Sequence, residues 1–161
     1  MKHIIIIFAV FMTLPFCGIS QNLKEMNKPT IEGLDEVAPF SEGLAAVRKG
    51  NQWGFIDESG KLVIDFRDDL VWSKDAIAHQ TDISGIRYPK FKEGRCIIQE
   101  LKEEDIPYYG FIDTTGEIVI APDFLNLTDF EEGRAIGIYC KKTFRGKNNF
   151  QLNIYDYSFT E

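Results

Sequence analysis

The chain has 161 residues, 44% hydrophobic and 13% aromatic, which is a globular composition and excludes intrinsic disorder along its length. It carries 25 acidic against 18 basic side chains, a formal charge of −7. That balance argues against nucleic acid and anionic membrane surfaces as partners, because both demand a basic footprint.

Met1-Lys2-His3 is a short basic start, and Ile4 to Leu14 is an apolar run broken only by Thr13. Gly18 and Ser20 then place small residues three and one before Gln21. This is the pattern of a signal peptide over residues 1–20, and the run is too short for a membrane span. A second reading makes Cys17 the lipid-bearing residue of an anchored lipoprotein, although Phe16 stands where a small residue is wanted. Without residues 1–20, 17 basic and 25 acidic side chains remain, a charge of −8. A polar lead over 21–30 follows, and the domain is expected over 31–161.

Residues 40–47 read F-S-E-G-L-A-A-V and residues 52–64 read Q-W-G-F-I-D-E-S-G-K-L-V-I. The same phrase returns as F-K-E-G-R-C-I-I over 91–98 and Y-Y-G-F-I-D-T-T-G-E-I-V-I over 108–120. A third opening, F-E-E-G-R-A-I-G, stands at 130–137, after which the pattern fades to a trace of G-F-I-D at Asn153-Ile154-Tyr155-Asp156. The units fall at about 35–64, 86–124 and 125–161. Their short β-branched and aromatic runs, punctuated by Gly, predict strands, and a helix is left open only within residues 70–78.

Phe40 to Phe91 is 51 residues, whereas Phe91 to Phe130 is 39. The difference locates extra residues in the second unit around Lys102 to Pro107 and a larger insertion over 67–90. Insertions in repeat arrays fall in loops, so 67–90 is expected to lie outside the repeat scaffold.

Asp57 and Gly60, and again Asp113 and Gly116, fit a turn in which Asp accepts from the backbone and Gly takes positive φ. Each is assigned a structural turn role. Trp53-Gly54 and Tyr109-Gly110 are assigned to packing, the Gly allowing close approach, with sugar stacking by the rings as the alternative. Glu42, Glu93 and Glu132 recur once per unit before a Gly, as a strand-entry turn would. No local nucleophile or zinc signature accompanies His79, the single histidine after residue 20. No catalytic, cofactor-binding or metal-binding residue is assigned, and no cofactor is expected. Cys96 and Cys140 leave a disulfide open. The segment expected to recognise a partner is 67–90, through Trp72, His79, Arg87 and Tyr88, because function concentrates on loops held by a rigid scaffold.

With these motifs in view, the chain resembles the WG-repeat family, whose units read F-S-E-G-L-A-x-V, a turn, then W-G-F-I-D-x-x-G-K-x-V-I. The resemblance covers roughly 40–137 with a gap at 67–90. It implies a bacterial, often exported, all-β array of stacked hairpins, as a solenoid or a curved open sheet, with two full units and a partial third. It implies no reaction. The expected function is a non-enzymatic interaction module at the cell envelope or outside the cell, with a protein or glycan partner. A carboxylate-based hydrolase and an architectural lipoprotein are the alternatives.

Overall fold

The structure is a computed structural model and describes residues 30–102 and 105–160; the expected signal peptide, most of the polar lead and Cys17 lie outside the described residues. Among the described residues, strands and one 3-10 turn (Ile83–Gly85) are the regular elements. The helix left open within residues 70–78 does not form. Leu70 and Val71 are instead buried in extended backbone, where adjacent apolar residues serve both faces of a strand.

The strands make two antiparallel sheets. The first holds β1 (Glu36–Val37), β2 (Leu44–Lys49), β3 (Gln52–Asp57) and β4 (Leu62–Arg67), in that order. The second holds β5 (Cys96–Leu101), β6 (Pro107–Ile112), β7 (Ile118–Leu127), β8 (Gly137–Lys147) and β9 (Asn153–Thr160), again in chain order. Both orders are linear, so each sheet is open and neither closes into a barrel. Each repeat contributes hairpins to this all-β stack. The extra residues of the second unit fall in the β5–β6 connection.

Two turn designs recur. In the first, Ser41 and Leu44 exchange backbone hydrogen bonds of 2.8 and 3.0 Å, as do Lys92 with Arg95 and Glu131 with Arg134. Between them, Glu42, Glu93 and Glu132 have φ of 52°, 51° and 53°, and the following glycines 78°, 69° and 74°. Two successive positive φ values in a two-residue loop make a type I′ turn, whose twist suits the flanking strands. Glutamate rarely takes this conformation. Its carboxylate gives the compensation: Glu42 accepts from the backbone amides of Glu93 (2.5 Å) and Gly94 (2.7 Å), and Glu93 accepts from that of Gly133 (2.7 Å). Glu42 and Glu93 thereby each fasten their own turn to the next.

In the second design, one Asp57 carboxylate oxygen accepts from the Ser59 amide (2.9 Å), the Ser59 hydroxyl (2.6 Å) and the Lys61 amide (3.0 Å). Asp113 repeats this with Thr115 and Glu117. The third unit keeps the turn with different residues. Asn148 accepts from Phe150 (2.9 Å) and Leu152 (3.0 Å), and Gln151 takes the positive φ of 63°. The turn therefore sits at 148–152. Asn153 to Asp156 lie after it, in β9, and are not the G-F-I-D equivalent. By turn position, Phe144-Arg145-Gly146-Lys147-Asn148 occupies the place of Trp53-Gly54-Phe55-Ile56-Asp57. A register shift at Phe144/Gly146 matches those at Trp53/Phe55 and Tyr109/Phe111.

The insertion also begins later than its sequence suggests. Asp69 to Val71 continue past β4 and pair with β5 through Gln99 N–H to Asp69 O (2.7 Å), Val71 N–H to Ile97 O (3.3 Å) and the Leu70–Ile98 bridge. This edge pairing stitches the two sheets together. Ala38 to Ala46 (2.8 Å) and Thr128 to Ile136 (2.9 Å) make the equivalent bonds in the other units. Residues 69–71 are therefore scaffold, and the non-repeating loop starts at Trp72.

Aromatic contacts bury the joints between units. Phe91 packs edge-on to Phe55 with centroids 4.7 Å apart, and Phe130 does the same to Phe111 at 4.9 Å. Trp53, Phe55, Leu70, Phe91 and Ile98 share one core cluster, and Val71, Ile97, Tyr109, Phe111 and Leu127 share another. Successive residues of β5 serve different clusters, as side-chain alternation requires. Cys96 is buried in the first cluster, where burial pushes its thiol pKa up, and Cys140 faces Phe159 across the β8–β9 pair. Both are free thiols.

Candidate functional site

The loop from Trp72 to Lys90 is held at several points. The Ser73 amide donates to Ile86 O and the Ile77 amide to Ser84 O, both at 2.8 Å, which folds the loop back on itself. Asp82 caps the 3-10 turn by accepting from the Ser84 amide (3.0 Å) and hydroxyl (2.5 Å). Its other carboxylate oxygen accepts from the Asn126 side-chain amide at 2.9 Å, which clamps the loop to β7. The Asn126 amide, followed by the Ser84 hydroxyl, holds the Asp82 carboxyl below the ordinary aspartate range. Lys90 adds an ion pair to Asp129 at 3.1 Å.

Between the loop tip and the third E-G turn lies a groove of about 740 Å³. Gln80, Thr81, Asp82, Gly85 and Ile86 form one side; Thr128, Asp129, Glu131, Glu132, Arg134 and Ile136 form the other, with Lys90 and Lys92 between. Charges of both signs line it and no aromatic ring does. A second, smaller concavity of about 450 Å³ lies between β4 and the Thr115–Gly116 turn. There Arg67 is bidentate to Asp69 (2.5 and 2.7 Å) and donates to Gly116 O (2.9 Å), so its charge is already committed.

The residues singled out from the sequence do not converge on the groove. Trp72 packs edge-on to Trp53 at 5.5 Å, and the Arg48 guanidinium lies over both rings at 5.4 and 5.8 Å. Tyr88 is half-buried against the first core cluster. Arg87 reaches Glu36 at 3.0 Å, tying the loop to β1. His79 is exposed, with φ of 72°, in the turn between Ile77 and Gln80. Trp53 is fully buried and Tyr109 is 7% exposed, so neither offers a ring face to a sugar. A Cβ on Gly54 would lie 2.9 Å from Ile64 O, and one on Gly110 would lie 2.4 Å from Ile120 O. These glycines are what lets the next strand cross so closely.

Reading by residue type favoured aromatics and the histidine, and so missed the Asp82–Asn126 clamp and the Lys90–Asp129 pair that shape the groove. One signal was present. Lys90 and Lys92 flank Phe91 at the second F-x-E-G opening, and Asp129 and Glu131 flank Phe130 at the third, which places opposite charges at matching offsets.

A family model described as WG containing repeat matches this chain at residues 27–53, 53–67 and 109–136. The chain is a WG-repeat protein. No curated protein and no solved structure matches it. The matched segments of this WG-repeat protein carry β1 to β4, the β6–β7 hairpin and the third E-G turn; the Trp72–Lys90 loop lies between them. Among the described residues, no three His, Cys, Asp or Glu side chains gather as metal ligands would, and no helix is long and apolar enough to cross a membrane.

Proposed function

We propose that this WG-repeat protein is an exported, non-enzymatic binding module whose partner is a polypeptide seated in the groove between the Trp72–Lys90 loop and the third turn. The groove lining carries the reading. Mixed-sign charges and backbone-rich turns suit an extended peptide with polar side chains, whereas a glycan site would want an exposed ring for stacking. The recurring carboxylates argue in the same direction, since Asp57, Asp113, Glu42 and Glu93 each hold backbone amides within the repeat framework. Export rests on the basic start, apolar run and small residues of 1–20. N-terminal mass analysis tests that part: a chain beginning at unmodified Gln21 supports it, and an acylated Cys17 replaces it with the anchored form.

The binding reading is tested by affinity capture from an envelope fraction, comparing the wild type with a Thr81→Trp/Arg134→Ala variant. Both positions are exposed, so the variant keeps the scaffold while filling the groove mouth and removing a cation. Loss of captured polypeptide with the variant supports the reading. Capture of the same material by both forms sinks it, and capture of glycan alone refutes the partner class.

A further inference from the structure

The chain of carboxylates that links the E-G turns has two unused ends. Glu42 serves the second turn and Glu93 serves the third. Among the described residues, the amides of Glu42 and Gly43 in the first turn have no acceptor, and the Glu132 carboxylate in the third has no donor. The first turn is thus a pair of outward amides of the kind that holds an anion, and the third carries the matching anion.

The Phe that leads each turn shows the same imbalance. Phe91 is fully buried and Phe130 packs on Phe111, but Phe40 is 52% exposed because no unit of the described chain precedes it. At the far end, Gly146 stands where Phe55 and Phe111 stand in the earlier units, so an incoming ring would meet a gap there. Rings at Phe144 and Phe159 and the Ile136 side chain remain exposed on the last unit.

We propose that these ends recognise each other in a second copy of this chain: the Glu132 carboxylate of one molecule accepts hydrogen bonds from the Glu42 and Gly43 amides of the next. The two internal joints, Glu42 to Glu93-Gly94 and Glu93 to Gly133, are the template. The contact is heterologous, so it propagates head to tail unless the geometry closes a ring. Charge-assisted bonds to backbone amides are among the stronger kind, yet only two lie on an exposed rim, so the association is weak and concentration-dependent. Glu132 also lines the mouth of the groove. The head variant below leaves every groove residue in place, and the Thr81→Trp/Arg134→Ala variant leaves both ends in place, so the two readings fail separately.

Sedimentation velocity on the full chain at near-physiological salt is the test. The wild type should show a mean mass that rises with concentration, with a dissociation constant on the order of 0.1–1 mM. Phe40→Asp at the head and Glu132→Lys at the tail should each weaken it about tenfold or more. Both side chains are exposed, and far-UV circular dichroism matching the wild type verifies that the variants fold. An equimolar mixture of the two variants retains one good head and one good tail, and should form a dimer that does not extend. A wild type that stays monomeric up to about 1 mM overturns the proposal. So does either variant associating as the wild type does, or a mixture that stays monomeric while the wild type associates. Strong hydrogen-exchange protection of the Glu42 and Gly43 amides at high dilution would place an acceptor from the same chain there, and likewise overturn it.

Discussion

Gly110 has the least room for a side chain among the glycines of the second unit. A Cβ there would lie 2.4 Å from Ile120 O and 2.7 Å from Pro122 N, backbone atoms that cannot rotate aside. Gly54 is less tight, at 2.9 Å from Ile64 O. Gly110→Ala is therefore expected to lower stability by about 1–3 kcal/mol, and Gly54→Ala by less. Urea midpoints measure both, and an unchanged midpoint for Gly110→Ala would show that the β6–β7 crossing relaxes freely. Asp57 and Asp113 give a second expectation. The Ser59 hydroxyl and Lys61 amide hold the Asp57 carboxyl below the ordinary aspartate range, and the Thr115 hydroxyl and amide do so for Asp113. Since each folded pKa is depressed, the contribution is complete above the unfolded value and is lost as pH falls through the folded one. An Asp57→Asn/Asp113→Asn variant keeps the acceptor oxygen but not the charge. Its stability should fall less steeply than the wild type's below about pH 4, in denaturant titrations repeated across that range.

The β8–β9 hairpin is the element in which the repeat chemistry has drifted. Gln151 holds a φ of 63° where the earlier turns have Gly60 and Gly116. A left-handed non-Gly residue costs roughly 1–2 kcal/mol, so Gln151→Gly should strengthen this turn by about 1 kcal/mol. Slower hydrogen exchange of the β8 and β9 amides would register it; unchanged exchange would mean that the turn does not limit the hairpin. The same drift explains what the sequence could and could not say. Asp57-x-x-Gly60 and Asp113-x-x-Gly116 announce themselves, because acceptor and glycine are chemically distinctive. Asn148 and Gln151 repeat the backbone hydrogen bonds of that turn with residues that carry no such signature, so the trace of G-F-I-D was sought in β9, one strand too late. The bounds of the insertion were hidden for a different reason. Asp69 to Val71 pair with β5, a contact 28 residues away along the chain that local patterning does not report. Glu42, Glu93 and Glu132 were legible as turn residues. The carboxylates of Glu42 and Glu93 act on the following turn, and that required coordinates.

At the scale of the molecule, residues 31–161 form one compact unit whose joints differ in strength. In a repeat array, stability is close to a sum of unit terms and nearest-neighbour interfaces, so the place where a joint is cut decides what unfolds. Phe91 is fully buried in the cluster that β2, β3, β5 and the 69–71 segment share. Its truncation should remove about 3–5 kcal/mol, a large share of the stability of a domain this size. Phe91→Ala is then expected to lower the midpoint of a single cooperative transition, with the amides of Ala45 to Val47 and of Ile97 and Ile98 losing protection together. Phe130 is only half-buried, at the last joint, beyond which Tyr139, Phe144 and Phe159 stand exposed. Phe130→Ala should cost less and act locally: β8 and β9 amides exchange faster while Ala45 to Val47 keep their wild-type protection. Native-state hydrogen exchange on the two variants separates the cases. Equal loss of protection in β2 and β8 after Phe130→Ala would mean that the joints are not independent and that the array unfolds only as a whole.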